Sequence, residues 1–131
     1  MFRILPVLAA LALVAQTEFQ DEAEYREEMR KIEHAFTALS EYRGVRMGPE
    51  LEREAARLEE LFTDVERFWK ARGNEEAASF AGMAKDGAEE ARTAARDGDD
   101  KSFDAALDTV AASCEGCHKE PLDKYRFRLP E

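Results

Sequence analysis

The sequence predicts an all-α fold, an antiparallel up-down-up-down four-helix bundle. Three observations lead there. The chain is 37% charged and rich in Ala, Glu and Arg, with few Val and Ile, a composition that favours helix over strand. Apolar residues recur in steps of three and four along four successive stretches of similar length. Gly, Pro, Asn and Asp leave only short connections between those stretches, which makes consecutive helices antiparallel neighbours. A length of 131 residues suits one small domain and not two.

Residues 1–15 read as a signal peptide rather than as part of the bundle. Met1-Phe2-Arg3 gives a short basic start, Ile4 to Val14 is an apolar run, and Ala15 offers a small residue for cleavage. The run is too short to span a bilayer comfortably. Residues 16–131 then form the mature domain. With no second apolar run it is expected to be soluble after cleavage and exported to the periplasm.

The first helix is predicted over 19–43. Its inner stripe is Tyr25, Met29, Ile32, Phe36 and Leu39, and Gly44 and Gly48-Pro49 end it. The second runs over 49–72, with Pro49 in the first turn, the stripe Leu51, Ala55, Leu58, Phe62, Val65 and Trp69, and a stop at Gly73-Asn74. The third covers 74–97 and turns inward a face of Phe80, Ala84, Gly87, Ala91 and Ala94. So small a face allows either close helix packing or room for a bulky group. Gly82 and Gly87 weaken the helix itself. The fourth begins after Gly98, capped by Asp99 or Asp100. It carries Phe103, Leu107, Val110, Cys114 and Cys117 inward and ends before Pro121.

The formal charge of −10 argues against a nucleic-acid partner. The two cysteines lie three apart, which is no disulfide framework. They belong to Cys114-Glu115-Gly116-Cys117-His118. Two thiols one helical turn apart can each bond a vinyl group of one haem, and the adjacent His118 can then ligate its iron. Competing uses fit less well. A structural zinc site needs about four ligands, and the only other histidine is His34. A thioredoxin-like pair sits on a strand–helix unit, which this helical pattern lacks. The expected cofactor is therefore one covalent haem c on Cys114 and Cys117, with His118 as proximal iron ligand.

From these residues the chain resembles the class II c-type cytochromes, the cytochrome c-prime family with its low-spin, methionine-ligated branch. The resemblance spans the mature chain. It rests on a CxxCH near the C-terminus of a four-helix pattern, on Trp69 near the end of the second helix, and on Ala94 to Asp99 followed by Phe103, Leu107 and Val110. One departure is that the family's aromatic–basic pair closely follows the haem histidine, whereas here Pro121 intervenes before Tyr125-Arg126. A second is a short first connection.

The resemblance implies that the sixth iron position faces the first half of helix one, and that its occupant sets the function. A methionine there gives a six-coordinate electron carrier; an apolar residue gives an open, five-coordinate site for NO or CO. The candidates are Met29 and His34. At about 100° per residue, Met29 borders the inner stripe and His34 falls nearly opposite it. Met29 is thus the expected sixth ligand, with an open site or His34 as the alternatives, and Arg26 is a candidate contact for a haem propionate. The resulting expectation is a monohaem periplasmic one-electron carrier and not an enzyme. The alternatives are a gas-binding haem protein and a metal-free helical interaction module. The expected partner is a redox protein. Docking would use the acidic helices or the basic cluster of Lys119, Lys124, Arg126 and Arg128. Members of this family often dimerise through their first two helices, which leaves a homodimer open.

Overall fold

The computed structural model describes residues 19, 22–42 and 48–118. The signal peptide, the cluster from Lys119 to Arg128 and the pair Tyr125-Arg126 lie outside the described residues. Four helices follow one another: α1 (Glu22–Glu41), α2 (Pro49–Ala71), α3 (Glu75–Asp97) and α4 (Asp100–His118). They form the antiparallel four-helix bundle that the stripes predict. None of the described helices is long and apolar enough to cross a membrane.

The turns follow from local chemistry. α2 ends as Gly73 takes a left-handed φ of +70°, which glycine adopts without steric cost. Asn74 then caps α3, its side-chain oxygen accepting from the Ala77 N–H at 3.0 Å. Gly98, also at φ +70°, closes α3, and its N–H reaches the last carbonyls of the helix. Asp99 caps α4 by accepting from the Ser102 N–H at 3.0 Å. These tight reversals lay α2, α3 and α4 side by side.

Packing is unequal around the bundle. α2 packs on α3, α3 on α4 and α1 on α2, whereas α1 and α4 share no packing of comparable extent. The whole α2 stripe is buried, joined by Leu61 and Phe68. α3 contributes alanines almost throughout, and its two glycines mark the close approaches. A Cβ at Gly87 would stand 2.9 Å from Val110 Cγ2 and 3.2 Å from the Ala106 carbonyl. That site is close helix packing, with α4 drawn onto α3. A Cβ at Gly82 would stand 3.2 Å from Glu66 Oε2, so this glycine leaves space for a buried carboxylate from α2. Burial works against the Glu66 charge. Lys70 and Lys85, the latter at 2.7 Å, outweigh it and hold the carboxyl below its ordinary range.

Two outcomes follow. Gly87→Ala gains about 1 kcal/mol of helix propensity and loses about 1–3 kcal/mol to overpacking. A net loss of about 1 kcal/mol is expected in urea unfolding, whereas an exposed helical Gly→Ala gains stability. For Glu66, the folded carboxyl titrates below the ordinary value of 4.5. Its contribution is therefore complete above that value and is lost as pH falls through the folded pKa. Urea midpoints taken between about pH 6 and pH 3 will fall less steeply in Glu66→Gln than in the parent.

Candidate functional site

The unpaired side of the bundle is a cleft of about 810 Å³ between α1 and α4, within the size range of small-molecule and cofactor sites, about 300–1,000 Å³. It arises from how α1 spends its apolar face. Ala35 and Leu39 are buried in the core, and Ile32, also buried, borders the cleft. Tyr25, Met29 and Phe36, one step round the helix, are only half-buried and look onto the cleft. The predicted stripe thus divides in two, and Glu28, which the stripe did not include, is buried on the α2 side near Lys31 at 3.4 Å.

The opposite wall is the last turn and a half of α4. Cys114 and Cys117 are free, half-buried thiols, and His118 follows at the exposed end of the helix; all three line the cleft. The floor comes from α2 and α3, with Phe62 and Val65 beside Ala77, Ala81 and Ala84. These alanines leave room that larger side chains would fill. The small face of α3 therefore serves both readings: Gly87 brings α4 close, and the alanines nearer the N-terminus floor a cavity. On the rim stand Glu22, Arg26, Arg30 and Glu33. Arg26 is ion-paired to Glu22 and Arg30 to Glu27, both exposed and worth little to stability.

His34 is exposed on α1 and does not line the cleft. The structure thus brings Met29, Arg26, Cys114, Cys117 and His118 to one cleft and leaves His34 away from it.

The electrostatics of the wall limit its chemistry. Burial pushes the Cys117 thiol up from 9.0 to about 11, helped by its neighbour Cys114 and by Glu76, and burial raises Cys114 as well. Both therefore stay protonated at neutral pH. Among the described residues no cluster of three or more His, Cys, Asp or Glu side chains could hold a metal ion. The donor set suits instead a large apolar group that carries its own iron and accepts two thioether bonds and an imidazole. The residues present fit a haem.

One functional feature was not legible in the stripes. Trp69 Nε1 donates to the Tyr25 hydroxyl at 3.1 Å, tying the cleft wall of α1 to the end of α2. Phe68 packs on both rings, with centroids 5.0 Å from each, and the Arg72 guanidinium lies 4.1 Å from the Phe68 centroid. Burial raises the Tyr25 hydroxyl far above its usual value, so it remains a neutral hydrogen-bonding group. The signal for this pair is weak in sequence, because the partners lie 44 residues apart.

No family model, no curated protein and no solved structure matches the chain.

Trp69→Phe removes the donor and leaves the Tyr25 hydroxyl without this partner, at a cost of about 1–3 kcal/mol. In urea unfolding, Tyr25→Phe in the same background will recover part of that loss. A double-mutant cycle with no coupling between the two positions would refute the contact.

Proposed function

We propose that this protein is a monohaem c-type cytochrome of the class II kind that carries single electrons. The observation that carries this reading is the cleft itself. Its α4 wall presents two thiols and the following histidine, and its α1 wall presents a methionine.

In this reading Cys114 and Cys117 would hold the haem covalently, and His118 and Met29 would ligate its iron. Bound there, haem supplies a one-electron couple between ferric and ferrous iron. The protein supplies the surroundings. Phe36, Phe62, Val65 and the alanine floor exclude water. The soft thioether of Met29 favours the ferrous state and raises the potential. Arg26, on the rim, is placed to exchange its Glu22 partner for a propionate. With His118 and Met29 both as ligands the iron would keep the same coordination in either state, so gain or loss of an electron would call for little rearrangement. The acidic balance of the chain, −10 overall, would steer a basic redox partner. Export to the periplasm belongs to the same proposal, since the expected signal peptide leads to the compartment where such carriers work. A homodimer through α1 and α2 stays an open part of it.

A second reading, an open five-coordinate site that binds NO or CO, draws on Ile32 and Phe36 beside Met29 in the same wall. Visible spectra of the purified protein decide between them. Methionine ligation predicts a low-spin spectrum with a weak far-red band when oxidised and sharp α and β bands when reduced. Met29→Ala is expected to abolish the far-red band and to lower the midpoint potential by on the order of 100 mV, within the roughly 0.8 V that axial ligation spans. His34→Ala is expected to change neither. A parent protein that is high-spin and shifts on addition of CO would make gas binding the function. A denaturing gel with no haem stain would leave a metal-free helical module.

A further inference from the structure

The second spacer residue of the motif, Gly116, has an ordinary helical backbone, since the positive-φ glycines are Gly73 and Gly98. Glycine in a helix interior is unfavourable relative to alanine, so conformation does not account for it here. Packing does. A Cβ built on Gly116 would run into the edge of the Phe80 ring, 2.8 Å from Cδ1 and 2.9 Å from Cζ. Phe80 comes from the N-terminal half of α3, is half-buried, and lines the cleft. Its ring thus rests on the backbone of α4 between the two cysteines.

We propose that Phe80 is a positioning residue of the site. Its ring, seated on Gly116, fixes the turn that presents Cys114 and Cys117. It also forms a rigid aromatic wall against which a planar macrocycle is held for attachment. The chemical class of ligand is the one proposed above, so the use made of the wall rests on that reading, whereas the contact and its effect on the thiols do not. The far end of a phenylalanine moves more easily than a helix backbone. A methyl at 116 therefore displaces the ring rather than unfolding α4, and the displaced ring leaves its place either into the cleft or out to solvent. In both cases the wall is lost while the fold survives.

Four forms test this: the parent, Gly116→Ala, Phe80→Ala and the double variant. Each is made as the full chain, with and without co-expressed haem-attachment machinery. In the apo-protein the reaction of the two cysteines with Ellman's reagent is timed. In the holoprotein, covalent haem per polypeptide and the midpoint potential are measured, alongside thermal unfolding of both.

Gly116→Ala and Phe80→Ala are each expected to speed thiol labelling several-fold and to lower haem loading several-fold. What haem is loaded should show a downward shift in potential, because water reaches the site. The double variant should resemble Phe80→Ala alone, since alanine at 116 then meets no ring. Thermal unfolding of Gly116→Ala should stay close to the parent.

The proposal is overturned if Gly116→Ala labels, loads and titrates like the parent. It is equally overturned if the losses in the double variant add, or if every effect follows a fall in thermal stability. A parent that takes up no covalent haem, with labelling rates that still change as stated, would sink the cytochrome reading and leave Phe80 as the residue that positions the two thiols.

Discussion

α1 is packed on α2 and shares no packing of comparable extent with α4, and the form of the site depends on that separation. The distance between packed helices follows the side chains at their contact, about 8–10 Å. Along α2, α3 and α4 those contacts are small: the alanines of α3, Gly82 where Glu66 comes in, Gly87 where Val110 comes in. Three helices are drawn together. α1 carries one small buried residue, Ala35, between larger ones. It rests on Ile32, Ala35 and Leu39 and, at its N-terminal end, on the aromatic group of Tyr25, Trp69 and Phe68. With α4 pulled onto α3 and α1 held on α2, the two outer helices leave a cleft between them.

Polar groups in this bundle are sorted by that geometry. Charges stand on the rim of the cleft, where Arg26 and Arg30 pair with their own helix neighbours in water. Inside, the groups are neutral: two thiols raised by burial and a tyrosine hydroxyl that accepts from Trp69. The Glu66 carboxylate is buried away from the cleft, and two lysines answer it there, because an unanswered buried charge is costly. The cleft is therefore apolar and without fixed charge deep inside. A low dielectric of that kind strengthens electrostatic interactions made inside it.

Much of this was legible in the sequence, and the rest was hidden for a physical reason. Four helices and their turns follow from periodicity and from Gly73, Asn74, Gly98 and Asp99. The α2 stripe was read residue for residue, and the reactive motif stands out as five consecutive letters. Periodicity, however, says only that a side chain faces inward; it does not name the neighbour it meets. Hence Tyr25, Met29 and Phe36 could not be separated from Leu39, although the first three line a cleft and Leu39 lies in the core, with Ile32 buried and bordering both. The burial of Glu28 and Glu66 was missed because hydrophobic patterning passes over charged residues. The seat of Phe80 on Gly116 was missed because close approach is a property of two helices at once. In Gly116 the sequence carries a sign of that approach without its cause.

The distribution of apolar surface bears on the choice among functional classes. A helical module built to bind another protein would carry its apolar excess outward, as a patch rimmed by polar residues. Among the described residues the exposed large apolar ones are Tyr42, just past α1, and Met83 on α3, while the half-buried excess of α1 turns into the cleft. An occupant must cover Tyr25, Met29 and Phe36 on one side and reach the thiols on the other. It must do so at the end of the bundle where α4 finishes and α1 begins. In the proposed reading a flat apolar group bonded through Cys114 and Cys117 would meet both walls together. In the two haem readings proposed above the half-covered face of α1 would be completed, and the side chain at position 29 would decide between an electron carrier and a gas binder.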